Sequence, residues 1–326
     1  MKHDTDERHA GRWVWAKRGL TLAFFILVPV MLYMLVRNLE WQELKQALQS
    51  YRLSTLALGF AITLCSYTLF SSYDLLGRHY TGHTLPARQV LSLAFVCYAF
   101  NLNLGSWVGG VALRYRLYSK MGLDVPTITR VLSLSLVTNW LGHLLIAGSV
   151  FIMGLPPLPK GFAIGAMGLL ATGAVLLLVA GGYLLACRFS KRRTWTLRGH
   201  EVTLPSLRLA AAQALMGACN WMSMALLIYV LLPAKIDYPT ILSILVISSV
   251  AGVITHIPAG LGVLEAVFIT LLYPAYSKGT ILAALIGYRA LYYLLPLAVA
   301  CVVFLVLEHH AGKDPTPEQN TERETV

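Results

Sequence analysis

The chain has 326 residues, of which 57% are hydrophobic and only 13% charged, with Lys+Arg 26 against Asp+Glu 15 and a formal net charge of +11. A soluble domain carries about 25% charged residues. Half that density cannot coat a water-soluble enzyme of this size, and the apolar content is too high for a disordered chain. The sequence is that of an all-α, polytopic helical integral membrane protein.

In chain order, a polar, basic segment (residues 1–19) precedes an apolar run, Leu20–Val36. No small-residue cleavage site follows Val36-Arg37-Asn38, so the run is expected to stay as a first membrane helix rather than leave as a signal peptide. Further uncharged runs occupy Leu53–Tyr73, Gln89–Leu113, Val131–Pro159, Gly161–Cys187, Leu209–Ala234 and Tyr238–Leu264, and Gly279–Leu307 is interrupted only by Arg289. A crossing takes about 20 apolar residues. The expectation is one integral domain over residues 20–308 with about six to eight membrane helices, and a polar, disordered tail over 309–326.

Basic residues cluster before the first run (Lys2, Arg8, Arg12, Lys17, Arg18), after the third (Arg114, Arg116, Lys120, Arg130) and across 188–208 (Arg188, Lys191, Arg192, Arg193, Arg198, Arg208). By the positive-inside rule these loops and both termini face the cytoplasm. Within 188–208, Lys191–Pro205 alternates basic and β-prone residues and suggests a hairpin against anionic lipid heads. Topology accounts for the charge, so no nucleic-acid partner is implied. The cysteines (Cys65, Cys97, Cys187, Cys219, Cys301) sit within apolar runs without metal-ligand spacing. Neither a metal nor a cofactor is expected, and no HExxH, GxSxG or Walker sequence is present.

Two apolar segments contain breaks. Asn101, Asn103, Gly105, Ser106, Gly109 and Gly110 crowd the middle of Gln89–Leu113, where basic flanks on both sides call for entry and exit by one face. Glycines permit the turn, and amides can satisfy freed carbonyls. A complete span with a glycine-lined packing face is the alternative. The second break is at Pro258, Gly260 and Gly262, after which about a dozen apolar residues are too few to cross. Broken segments entered from opposite faces suit the inverted repeats of transporters.

Glu265 and Arg289 lie in apolar surroundings, where a charge costs about 2.5–3.5 kcal/mol and marks a pathway or a partner. They either lock two helices as an ion pair or gate and bind a phosphate head group, beside Tyr288 and Tyr292. Asp74 has Arg78 at i,i+4 and is expected to pair with it. Arg114 and Arg116 are expected to snorkel to the surface, or else to receive a lipid phosphate. Asn139, His143, Asn220 and His256 suggest interhelical hydrogen-bonding partners.

The segments NLNLGSWVGGVALRYRLYSKMGL (101–123), HIPAGLGVLEAVF (256–268) and Tyr288–Pro296 together resemble the lysylphosphatidylglycerol synthase transmembrane-region family. The resemblance implies a membrane region that moves lipid between leaflets in multiple peptide resistance factors. It places the motif positions on Asn101, Gly109, Gly110, Arg114, Pro258, Gly260, Gly262, Glu265 and Arg289. Ala259 stands where many relatives have Gly, and Gly105-Ser106 where a Pro is common. The aminoacyltransferase domain of those factors has no counterpart here, so synthase activity is not implied.

The expected function is therefore a flippase for a phospholipid or lipid-linked precursor in a bacterial inner membrane. A lipid-head-group-modifying enzyme subunit and a non-catalytic scaffold are the alternatives. Membrane phospholipids are the implied partners; a lipid-synthesis enzyme and a second copy of the chain stay open.

Overall fold

A computed structural model describes residues 41–155, 165–197, 200–233, 236–255, 262–273 and 275–311. The N-terminal basic segment, the run Leu20–Val36, the site candidates His256, Pro258 and Gly260, and the tail beyond 311 lie outside the described residues. The chain divides into two compact units, Met1–Glu43 and Leu44–Val326, and the elements that follow belong to the second. Among the described residues, α1 (Trp41–Gln49) runs over that boundary.

Helix α2 (Leu53–Thr81) is followed by α3 (Ala87–Leu104), a π-helical stretch (Ser106–Ala112) and the short α4 (Leu113–Lys120). Then come α5 (Val125–Ile152), α6 (Ala166–Phe189), α7 (Leu207–Leu231), α8 (Tyr238–Thr255) and α9 (Val263–Leu272). The last helix is continuous in direction but changes pitch: α10 (Lys278–Arg289), a π-turn (Ala290–Leu294) and α11 (Leu295–Ala311). Local signals set these bounds. Gly82, at φ 74°, caps α2 in the left-handed region, and Ser206 and Ser277 accept backbone N–H groups at the starts of α7 and α10.

Five helices among the described residues are long and apolar enough to cross a bilayer: Leu53–Thr81, Val125–Ile152, Met167–Phe189, Leu207–Leu231 and Lys278–Glu308. Their side chains are arranged for an apolar solvent. Leu178 and Leu215 point outward at 73% and 66% exposure, while Ser66, Asp74, Gln213 and Asn220 are fully buried. Outside a bilayer that distribution would be unstable, because each buried polar group needs an internal partner and each exposed leucine loses its burial energy.

Helices α2, α5 and α7 form the centre. At the α5–α7 crossing a Cβ on Gly142 would stand 2.1 Å from the Gly217 carbonyl carbon, so only glycine permits the approach. The outer helix α6 packs on α5, and α9 packs on α8. Between α6 and α7 an antiparallel hairpin pairs β1 (Thr194–Leu197) with β2 (His200–Thr203), as the alternation over Lys191–Pro205 suggests. It is the only sheet among the described residues.

The first break turns the chain back on itself. Gly105 adopts φ 88° and ψ 164°, a region open essentially to glycine. Asn101 and Gly109 would be about 12 Å apart along a continuous helix. Instead a Cβ on Gly109 would stand 2.2 Å from the Asn101 amide nitrogen. The π-helical stretch therefore doubles back against the end of α3, with Trp107 80% exposed near the turn. Beyond the second break, α9 has ten residues, about 15 Å of helix, too short for a crossing of about 30 Å.

Candidate functional site

The doubled-back segment carries Arg114 inward. The guanidinium makes a fork to Asp74 of α2, with Nε donating to Oδ2 at 3.1 Å and Nη2 to Oδ1 at 3.0 Å. Tyr118 Oη donates to the same carboxylate at 2.8 Å. Asp74 is therefore not the i,i+4 partner of Arg78. Arg78 Nε instead donates to the Leu85 carbonyl at 2.7 Å, while Asp74 faces the interior at 0% exposure and needs a tertiary counter-charge. Nor does Arg114 snorkel: it is 3% exposed, because the turn at Gly105 leads α4 back under the bundle. Arg116 is likewise held, its Nη2 donating to Glu308 Oε1 at 2.6 Å. Lys120 reaches the same oxygen, tying α4 to α11.

The second intramembrane pair is also formed. Arg289 Nε donates to Glu265 Oε1 at 2.7 Å and Nη2 to Oε2 at 3.1 Å. Glu265 sits at the third position of α9, where its Oε2 also accepts the Gly262 N–H at 2.9 Å, and the helix dipole favours the anion. Gly262 itself takes φ 80°. The Arg289 guanidinium lies 5.7 Å from the centre of the Tyr293 ring.

A hydrogen-bonded cluster joins these two regions. Pro296 lacks the N–H that would reach the Tyr292 carbonyl four residues back. The freed carbonyl accepts Tyr67 Oη at 2.9 Å, and the Tyr293 carbonyl accepts Asn103 Nδ2 at 3.3 Å. The Tyr292 hydroxyl meets Tyr98 Oη at 2.8 Å and Ser66 Oγ at 2.7 Å, and Ser66 Oγ donates to Asn220 Oδ1 at 2.7 Å. Tyr288 stacks on Tyr292, with ring centres 5.4 Å apart. Asn220 is thus an interhelical partner as its composition suggests. His143 is a correction: its Nδ1 is buried without a hydrogen-bond partner, and its ring lies between Trp140 and Trp221.

Two cavities adjoin this framework. A chamber of about 270 Å³, most of its lining apolar, gathers the polar side chains of Asn101, Arg114, Ser135, Asn139 and His143 beside Gly110, with Tyr98 on its wall. An apolar cavity of about 650 Å³ lies between α5, α6, α8 and α9, lined by residues such as Leu144, Leu176, Val267 and Leu271. Trp140, His143 and Val250 line both. Of the predicted site residues, Asn101, Gly110, Arg114 and Asn139 come together on the chamber. Gly109 instead permits the chain reversal behind it. Gly262, Glu265, Arg289, Tyr288 and Tyr292 line neither cavity, and Tyr292 is linked to the chamber wall through Tyr98. Among the described residues no group of three or more His, Cys, Asp or Glu could hold a metal ion.

Sequence reasoning missed Tyr98, Ser66 and Tyr118, whose hydroxyls complete the network. A tyrosine in an apolar run has no signature of its own. The signal available was Pro296, which requires that something satisfy the Tyr292 carbonyl.

A multi-pass helical bundle with a doubled-back glycine segment, a short half-helix headed by a carboxylate and buried carboxylate–guanidinium pairs defines a class of polytopic membrane protein rather than a soluble catalyst. The model of the family described as "Lysylphosphatidylglycerol synthase TM region" matches residues 19–300, and the chain belongs to that family. It is 46% identical over 303 residues, 93% of the chain and 95% of the relative, to "Inner membrane protein YbhN" of Escherichia coli (strain K12). It is also 31% identical over 277 residues, 82% of the chain and 85% of the relative, to "Uncharacterized protein slr0712" of Synechocystis sp.. The chain is accordingly a multi-pass protein of the bacterial inner membrane.

Proposed function

We propose that this chain carries a phospholipid, or a lipid-linked precursor, between membrane leaflets. The observation that supports this reading is a chamber into which Asn101, Arg114 and Asn139 bring polar groups within an apolar bundle, abutting a cavity lined almost wholly by apolar side chains. A lipid needs both environments at once. The fork to Asp74 uses Nε and Nη2 of Arg114 and leaves Nη1 uncommitted to that carboxylate. That N–H pair, with the amides of Asn101 and Asn139, offers donors to a phosphodiester oxygen. The Glu265–Arg289 pair, joined to the chamber through Tyr292 and Tyr98, would serve as a gate that holds α9 against α10.

The test is leaflet-resolved lipid scrambling in vesicles reconstituted with the purified protein. Loss of a hydrogen bond to a charged group is worth about 1.5–3 kcal/mol, and each 1.36 kcal/mol is tenfold in rate. Asn139→Leu is therefore expected to slow scrambling about tenfold or more, and Glu265→Ala to change the rate through the gate. Equal rates for wild type, Asn139→Leu, Glu265→Ala and protein-free vesicles would overturn the reading.

A further inference from the structure

His143 is 4% exposed, and its Nδ1 has no hydrogen-bond partner. Leaving a buried donor or acceptor unsatisfied costs about 1–3 kcal/mol, so such a group signals a missing partner. Its neighbours do not supply one. Trp140 and Trp221 present rings at 5.6 Å and 4.6 Å between centres, and the Trp221 Nε1 donates elsewhere, to the Asn139 carbonyl. The imidazole stands where the chamber that holds Arg114 meets the apolar cavity, since it lines both. That cavity opens sideways: Ile254 on its rim is 70% exposed and Val250 41%. In a bilayer that open side faces acyl chains.

The chemistry at such a junction is specific. A molecule with its phosphate beside Arg114 and a hydrocarbon chain among Leu144, Leu176, Val267 and Leu271 would pass its linking group by His143, the polar residue that lines both spaces. In a glycerophospholipid that group is the acyl ester, whose carbonyl accepts a hydrogen bond and whose ether analogue has no carbonyl. A neutral imidazole always carries one N–H donor. At about 650 Å³ the cavity falls within the range of about 300–1,000 Å³ typical of ligand sites.

We infer that His143 is a specificity residue that donates to the ester carbonyl of a diacyl phospholipid, with one acyl chain seated in the cavity between α5, α6, α8 and α9. The inference rests on the lipid-transport reading for its biological purpose, but binding tests it independently of transport. The probes are a diester phosphatidylglycerol and the diether analogue with the same head group and chain length, each titrated onto the purified wild-type protein and followed by native mass spectrometry. Wild type is expected to hold the diester about tenfold more tightly. His143→Phe is expected to abolish that preference, and His143→Gln, which keeps an N–H donor, to retain part of it.

A diester probe carrying a diazirine on its acyl chain is expected to crosslink wild type at Leu144, Leu176, Val267 or Leu271. Equal affinity of wild type for diester and diether, or crosslinks confined to residues outside that cavity, would overturn the assignment. Scrambling without ester preference removes the role of His143 and leaves transport standing. Ester preference and cavity crosslinks without scrambling support His143 and remove transport.

Discussion

Asp74–Arg114 and Glu265–Arg289 are both carboxylate–guanidinium forks within the apolar bundle, each associated with one of the two broken segments, and their enclosure differs. The side chains of the first pair are 0% and 4% exposed, and a third donor, Tyr118, completes the carboxylate. Those of the second are 20% and 15% exposed, and the additional donor to Glu265 is a backbone N–H three residues away on its own helix. The first pair joins α2 to α4 across 40 residues of chain, with the carboxylate wholly enclosed. The second joins α9 to α10 with both side chains partly exposed, so a lost contact leaves less charge enclosed. The difference teaches that equal chemistry can serve opposite ends: a deeply enclosed pair fixes a chamber wall, and a partly exposed one can separate at modest cost.

The sharpest way to break this comparison is to remove one charge from the enclosed pair. Breaking a buried pair by removing one partner costs about 3–5 kcal/mol, because the other charge is left uncompensated. Asp74→Ala is expected to show that loss as a lowered thermal unfolding midpoint in detergent. The double replacement Asp74→Leu with Arg114→Met removes both charges and is expected to recover most of it. No recovery would mean that the pair does more than neutralise itself. Glu265→Gln is expected to cost about 1–2 kcal/mol in the same measurement, intermediate between exposed pairs, at about 0–1 kcal/mol, and buried ones. The amide can still accept from Gly262.

Enclosure of the first pair depends on the chain reversal, and Gly109→Ala tests that dependence. The added methyl would meet Phe100 and Asn101 backbone atoms at 2.2 Å, and backbone cannot swing aside as a side chain can. Overpacking of this kind costs about 1–3 kcal/mol. The expected result is a lowered unfolding midpoint together with carbodiimide labelling of Asp74, which its enclosure is expected to prevent in wild type. A methyl at Gly181, with open space around it, is expected to change neither.

The reversal was legible in the sequence because Gly105, Gly109 and Gly110 interrupt an apolar run whose basic flanks demand it. The spans were legible for a similar reason: run length against bilayer thickness is a local property. The partner of Asp74 was not. The i,i+4 rule offers Arg78 from the same helix, whereas the true partner is set by which face of α2 is buried and by where the later turn at Gly105 returns the chain. The hydroxyl network was hidden in the same way, since the rotation of each helix about its axis decides whether Tyr98 meets Tyr292 or lipid. His143 could be found in the sequence, but its lack of a partner could not, because an unpaired group is defined by its whole surroundings.

The smallest expected effect concerns the link between the two regions. Tyr98 lines the chamber and shares a hydrogen bond of 2.8 Å with Tyr292, whose ring stacks on Tyr288 next to Arg289. Removing the Tyr98 hydroxyl leaves Tyr292 still bonded to Ser66, so no buried group is orphaned. Hydrogen bonds between membrane helices average about 0.6 kcal/mol, and Tyr98→Phe is expected to cost about that much in stability. Its value lies in additivity. Distant sites that share no element add to within about 0.3–0.5 kcal/mol, and coupled ones do not. If the Tyr98–Tyr292 bond transmits the state of the gate to the chamber, the effects of Glu265→Gln and Asn139→Leu on scrambling are non-additive in the wild-type background and become additive once Tyr98 is phenylalanine. Additivity in both backgrounds would show the two regions to be neighbours without communication, and the Glu265–Arg289 pair would then be a lock between helices rather than a gate.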